Sequence, residues 1–197
     1  MIDWKPMQRR LKVGDDGNPG RVTLAALFVA MGAGPQRARD LALGANVHLR
    51  TYGIMDSPLR LAHFIGQTAH ESGGFVYMEE IGGASYFARY DGRKDLGNVI
   101  PGDGALFHGR GPIQLTGRNN YREAGEDLGI DLEANPAIVA QPAIGMMTSA
   151  RFWSVNGINA MADADDLERI TRKINGGRNG IADRQLRTAK AKGLILP

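Results

Sequence analysis

Residues 57–74, SPLRLAHFIGQTAHESGG, constrain the fold more than any other stretch because they read as a helix with both ends marked. Ser57 is a residue that caps helix N-termini, and Pro58 suits the first helical position. Leu61, Phe64, Ile65, Thr68 and Ala69 recur at helical spacing and form one apolar stripe. Gly73 and Gly74 supply the stop. Such a stripe needs other helices to cover it, and the chain offers them. Residues 3–34 read as helix, turn, helix around the turn-rich GDDGNPG of 14–20, and 35–54 continue as helix. Further helices are predicted over about 118–128, from Pro142 to Val155, over 163–176 with Asp163 or Asp165 near the N-cap, and over 180–194. Residues 75–111 are rich in Gly, Tyr and Asp, lack helical periodicity and read as loops with a short strand or hairpin. The fold class is therefore mostly α, with a minor β or irregular portion.

Composition narrows the chemistry. The 197 residues suffice for one substantial domain with a small appendage, and the absence of cysteine excludes disulfides, thiolate nucleophiles and cysteine-ligated zinc. The apolar run 22–34 is too short to span a bilayer, and no apolar h-region follows the N-terminal MIDWKPMQRR, so no secretory signal is read there. Residues 169–192 carry eight basic side chains and one acidic one, Asp183, a bias suited to contact with an anionic cell envelope or to a solvated helix face. Those basic residues lack interleaved aromatics, which argues against nucleic acid.

Glu71 stands in the last turn of the helix at 57–74, where the negative end of the helix dipole and partial burial both favour a protonated carboxyl. A general acid working near neutral pH needs that property. Glu79 and Glu80 follow, and in extended chain adjacent residues face opposite ways, one towards a cleft and one towards solvent; an ordinary exposed acidic pair fits equally. Two carboxylates across a cleft are the usual apparatus of glycoside hydrolysis. In GRGPIQLT, Gln114 and Thr116 alternate with Ile113 and Leu115, so an extended chain would show the polar pair on one face. His63, Gln67 and His70 lie along one helix side, but with no HExxH and four histidines in all, no metal site is expected. Asn175, in the glycine-flanked turn after a helix, suits either a C-cap or a ligand contact.

Three strings in this order, HFIGQTAHESGGF, GRGPIQLTGRNNY and INGGRNGIADR, resemble glycoside hydrolase family 19, the family of plant-type chitinases and many bacteriophage endolysins. The likeness runs from about Leu59 to Arg187. It implies a lysozyme-like, two-lobed fold with a central cleft, and metal-free hydrolysis of β-1,4 bonds beside N-acetylated amino sugars with inversion. On that resemblance Glu71 is the general acid, Glu80 the carboxylate that activates water, and Thr116 the hydroxyl that holds the water. Gln114, Asn120 and Tyr121 match the sugar-binding string, His70 adjoins the acid, and Asn175 and Arg184 match the asparagine and arginine near the acid–base pair. The segment between the two glutamates is much shorter than in plant chitinases, so chitin specificity does not carry across.

Residues 1–34 resemble part of the small helical peptidoglycan-binding repeat, through Gln8, Leu11, the DGNPG turn, Thr23, Ala26 and Leu27. This divides the chain into that segment and a catalytic domain, 35–197. The expectation is a monomeric, cofactor-free endolysin that cleaves peptidoglycan glycan strands. It would be made in a host cytoplasm and released to the wall through a separate pore. The alternatives are a chitinase and a catalytically silent wall-binding protein of the same fold.

Overall fold

A computed structural model describes residues 2–196. The larger body is a set of helices: α1 (Lys5–Arg10), α2 (Arg21–Ala30), α3 (Pro35–Thr51) and α4 (Pro58–Glu71), then α8 (Pro142–Val155), α9 (Ile158–Asp163), α10 (Leu167–Asn175) and α11 (Ile181–Ile195). Between α4 and α8 the chain leaves this body to build a smaller lobe from short α5 (Ala84–Phe87), α6 (Asp103–Leu106), the longer α7 (Arg118–Leu128) and several single 3-10 turns. No helix among the described residues is long and apolar enough to cross a membrane.

Each lobe has its own core. In the large lobe α4 is central, with Leu61, Phe64, Ile65 and Ala69 fully buried and Phe64 edge-on to Trp153 of α8 at 5.3 Å. α11 lies so close to α4 that Gly66 has no room for a Cβ against Thr188. Trp4, Met7, Leu24, Leu27 and Phe28 belong to this same core, so residues 2–34 pack as part of the body rather than beside it. The small lobe closes around Phe107, Leu115, Tyr121, Ala124, Leu132 and Val139.

The helix pattern expected over 57–74 forms as α4, and its stop is a true left-handed turn: Gly73 and Gly74 have φ of 59° and 77°, and Gly74 N–H donates to Ala69 O at 2.6 Å. Ser57 occupies the N-cap with extended backbone, yet its hydroxyl makes no cap bond, so Pro58 and packing define that end. α10 starts later than expected. Asp166, not Asp163 or Asp165, caps it by accepting from Arg169 N–H at 2.9 Å, while Asp163 ends α9 and pairs with Arg60. Residues 75–111 contain the expected hairpin only as isolated bridges, Glu79 to Arg110 and Arg110 to Leu115; their short helical turns left no periodic signal.

Candidate active site

Between the lobes lies an open hollow of about 280 Å³ lined by Glu71, Tyr77, Glu79, Glu80, Ile81, Tyr86 and Gln114. A larger hollow of about 580 Å³ beside Pro35 and Pro142 holds a single carboxylate, Asp40, and no opposed pair.

Glu71 comes from the large lobe, at the end of α4. Arg184, from the first turn of α11 and 2% exposed, donates to Glu71 Oε1, to Gln67 Oε1 at 2.5 Å and to Asn179 O at 3.2 Å. One guanidinium thus joins two positions on α4, one turn apart, to the loop before α11. Glu71 Oε2 accepts no hydrogen bond from the described residues. The sequence weighs the helix end and burial at Glu71; the structure adds a buried cation bonded to the same carboxylate, a charge-assisted contact that fixes its orientation. His70 packs over Gly180, and its Nδ1 is 2.6 Å from Asp183 Oδ2, which also accepts from Arg187 Nε at 2.6 Å. Partial burial works to raise the Asp183 carboxyl, but the bonds from His70 and Arg187 outweigh it and hold it below the usual carboxylate range.

The small-lobe wall is a narrow hairpin. Gly111 N–H donates to Met78 O at 2.8 Å, Glu80 N–H donates to Gly109 O at 2.8 Å, and Arg110 and Leu115 exchange backbone bonds across a tight turn. Gln114 sits in that turn with φ 59°, so the string is not an extended strand. The expected partition survives for another reason: Ile113 and Leu115 are 6% and 4% exposed, while Gln114 lines the hollow and Thr116 is half-buried, its hydroxyl donating to Gln114 O at 2.9 Å. Gly109 is the point of closest convergence. A Cβ there would lie 2.7 Å from Gln114 Oε1 and 3.3 Å from both Glu80 Oε2 and Thr116 Oγ1. Only glycine lets an amide oxygen, a carboxylate and a hydroxyl gather at one spot.

Glu79 and Glu80 do not divide between cleft and solvent; both line the hollow, because no regular strand imposes alternation there. Glu79 Oε1 faces His108 Nε2 at 2.9 Å and accepts from Arg110 Nε at 2.8 Å. Partial burial tends to raise its carboxyl, and the two basic partners overcome this to hold it low. Glu80 Oε1 accepts from Arg89 Nη2 at 2.8 Å and from Tyr90 Oη at 2.9 Å, and its Oε2 accepts from Gly109 N–H at 3.1 Å.

A helix-end carboxylate and a hairpin carboxylate thus line one hollow, and comparison with known proteins identifies the family. A family model for glycoside hydrolase family 19, described as chitinase class I, covers residues 52–166. The chain belongs to glycoside hydrolase family 19. A family 19 domain-containing protein of Haemophilus influenzae is 29% identical over 154 residues, 64% of this chain and 75% of that protein. An Arabidopsis thaliana endochitinase is 36% identical over 118 residues, 59% of this chain and 39% of its own length, so the chain spans well under half of that plant relative. Chitinase C of Streptomyces griseus has the same fold at TM-score 0.72 and 26% identity, over 91% of this chain and 95% of the other. The protein is thus a family 19 glycoside hydrolase with the mostly helical, lysozyme-like fold that the resemblance implied.

Not every residue singled out in the family 19 strings reaches the cleft. Tyr121 is fully buried; its hydroxyl donates to His108 O at 2.8 Å and accepts from Arg110 at 3.1 Å, and burial pushes its phenol up to about 12. It braces the hairpin from behind and has no surface to offer a sugar. Arg184 is likewise buried and meets Glu71 from behind the hollow's lining. Asn175 ends α10 and donates to Asn179 O at 2.9 Å, the carbonyl that also receives Arg184, so it shapes the loop rather than lining the hollow. Asn120 is exposed, with its amide turned onto Thr116 O at 2.6 Å. Five of the eight basic residues in 169–192 are engaged in ion pairs: Arg172, Arg178, Arg184, Arg187 and Lys192. These five share four carboxylates, Glu168, Glu71, Asp183 and Asp165, so about half of the segment's positive charge is offset. The sequence reading missed Gly109, Arg89, Tyr90 and the Glu79–His108–Arg110 cluster. Only the glycines flanking Arg110 carried any signal for them.

Proposed function

We propose that the protein is an endolysin-type member of the family, hydrolysing β-1,4 bonds of bacterial peptidoglycan with inversion. Glu71 protonates the departing glycosidic oxygen. Glu80 takes the proton of a water seated between its Oε2 and Thr116 Oγ1, and that water attacks the anomeric carbon from the opposite side. The observation that carries this reading is the convergence of Glu80 Oε2, Thr116 Oγ1 and Gln114 Oε1 about Gly109, with Glu80 and Gln114 lining the same hollow as Glu71. Tyr77 and Tyr86, 50% and 41% exposed, present ring surface to sugar at the cleft. Peptidoglycan is favoured by the likeness of residues 1–34 to a wall-binding repeat. Gln8 organises that turn, donating to Asp16 Oδ1 at 2.8 Å and accepting from Gly17 N–H at 2.8 Å. Delivery to the wall through a separate pore belongs to the same proposal.

The second reading, a chitinase, rests on the relatives whose names say endochitinase or chitinase. Purified sacculi and colloidal chitin, incubated side by side, decide between them. The expected result is soluble muropeptides with a new reducing end identified by mass spectrometry, of α configuration when first released. Release from chitin alone would favour the second reading, and the first would fail. Glu71→Gln and Glu80→Gln are each expected to lower turnover by roughly 10²–10⁴-fold, the usual worth of a general acid or base.

A further inference from the structure

Glu80 is the proposed base, and its two oxygens are not equivalent. Oε2 receives one bond, from Gly109 N–H at 3.1 Å, and faces the spot where Thr116 Oγ1 converges. Oε1 receives two, from Arg89 Nη2 at 2.8 Å and Tyr90 Oη at 2.9 Å. Arg89 also donates to Tyr90 Oη at 2.7 Å, which leaves the phenol proton directed at Glu80. Burial pushes the Tyr90 phenol up, so it keeps that proton at any working pH. The guanidinium of Arg89 lies over two rings, 3.6 Å from the centroid of Tyr86 and 4.7 Å from that of Tyr90.

We propose that Arg89 and Tyr90 are positioning residues for the water-activating carboxylate. They hold Glu80 Oε1 and leave Oε2, beside Thr116, as the oxygen that takes the proton. In the step itself a water O–H bond breaks, its proton passes to Oε2 and the hydroxide oxygen bonds to the anomeric carbon. The glycosidic bond breaks at the same time, and its electron pair stays on the leaving oxygen, which takes the proton of Glu71. Without the two donors the carboxylate can rotate about its last torsion, and the atom presented to water is no longer fixed. This rests on Glu80 being the base.

The test uses the full chain and whichever of purified peptidoglycan or chitin oligomers the wild type hydrolyses. Hydrogen bonds to a charged group are each worth roughly 10–100-fold. Tyr90→Phe is expected to lower kcat about tenfold and Arg89→Met by up to about 100-fold, with KM unchanged. Arg89→Lys, which keeps a cation and a donor, is expected to recover part of the loss. In a Glu80→Ala background the same substitutions should change the residual rate by less than about twofold, because their only route to the chemistry is gone. Wild-type kcat in Tyr90→Phe and Arg89→Met, or equal losses with and without Glu80, would overturn the inference. Wild-type turnover in Glu80→Ala would instead remove the assignment of the base.

Discussion

Glu71 is the last residue of a 14-residue helix buried in the large core, whereas Glu80 sits on a hairpin held together by isolated bridges. The helix fixes the Cα of Glu71 through its own backbone bonds and needs one further contact, Arg184, to orient the side chain. The hairpin has no such scaffold. Glu80 is instead held by three donors from two segments, 89–90 and 109, and by a glycine that leaves space around it. Precision on the large-lobe wall comes from secondary structure. On the small-lobe wall it comes from a closed set of polar contacts, each replaceable only at a cost to aim. The two walls should therefore fail differently: one through stability, the other through rate.

Arg184 is the severest test of that difference. It is 2% exposed, and its loss leaves Glu71 without its ion-pair partner and Gln67 without its donor. Each buried acceptor left without its donor costs about 1–3 kcal/mol, and more where it is charged. At this chain length the two together mean a fall in Tm of roughly 10 °C for Arg184→Met, measured by thermal melting. Arg184→Lys keeps the charge but cannot reach Gln67, Glu71 and Asn179 together, and should fall between. An unchanged Tm in Arg184→Met would mean that the large-lobe wall is not organised by this pair.

The same contrast explains what the sequence discloses. α4, α7 and α8 are legible because apolar periodicity and end signals such as Pro58, Gly73 and Pro142 are local properties of the chain. The carboxylate at the end of α4 is legible with them. Arg184 lies 113 residues from its partner, and no spacing rule connects the two. Arg89, Tyr90 and Gly109 are harder still, since ARY and HGRG have no period and their roles exist only once the hairpin folds back on residues 78–80. Burial of Tyr121 could not be read either: it sits in the same string as the exposed Asn120, and only the small-lobe core decides which of them turns inward.

Gly109→Ala probes the small-lobe wall without removing a hydrogen-bonding side chain. The added Cβ would stand 2.7 Å from Gln114 Oε1, the far end of a flexible side chain that can swing aside. Stability should therefore change by less than about 1 kcal/mol. The same methyl group displaces the ring of acceptors by a few tenths of an ångström to an ångström, a range over which misplacement costs roughly 10–100-fold in rate. The expected outcome is a kcat at least about tenfold lower with Tm within a few degrees of the wild type. If Gly109→Ala melts early and works normally, the assignment of stability to one wall and rate to the other is reversed.

A smaller effect separates the lobes themselves. In the small lobe Glu133 is bonded by Arg122 and Arg118, which hold its carboxyl at about 2, well below the ordinary 4.5. Asp103, nearly inaccessible, is held low chiefly by Arg118 as well. A carboxyl whose folded value is depressed binds fewer protons folded than unfolded. It contributes stability fully above about 4.5, and that contribution is lost as pH falls towards about 2. Arg118 joins α7 to both carboxylates, so acid should loosen α7 against the rest of the small lobe. Both tryptophans, Trp4 and Trp153, lie in the large-lobe core and do not sense that event directly. Between pH 4.5 and 2, helical circular dichroism is expected to decline before tryptophan emission shifts. In Arg118→Gln, already less stable at pH 7, Tm should depend less on pH across that window than in the wild type. Coincident transitions by the two probes, together with parallel loss of Tm in both proteins, would show that the lobes unfold as one unit and that this cluster does not set the small lobe's acid limit.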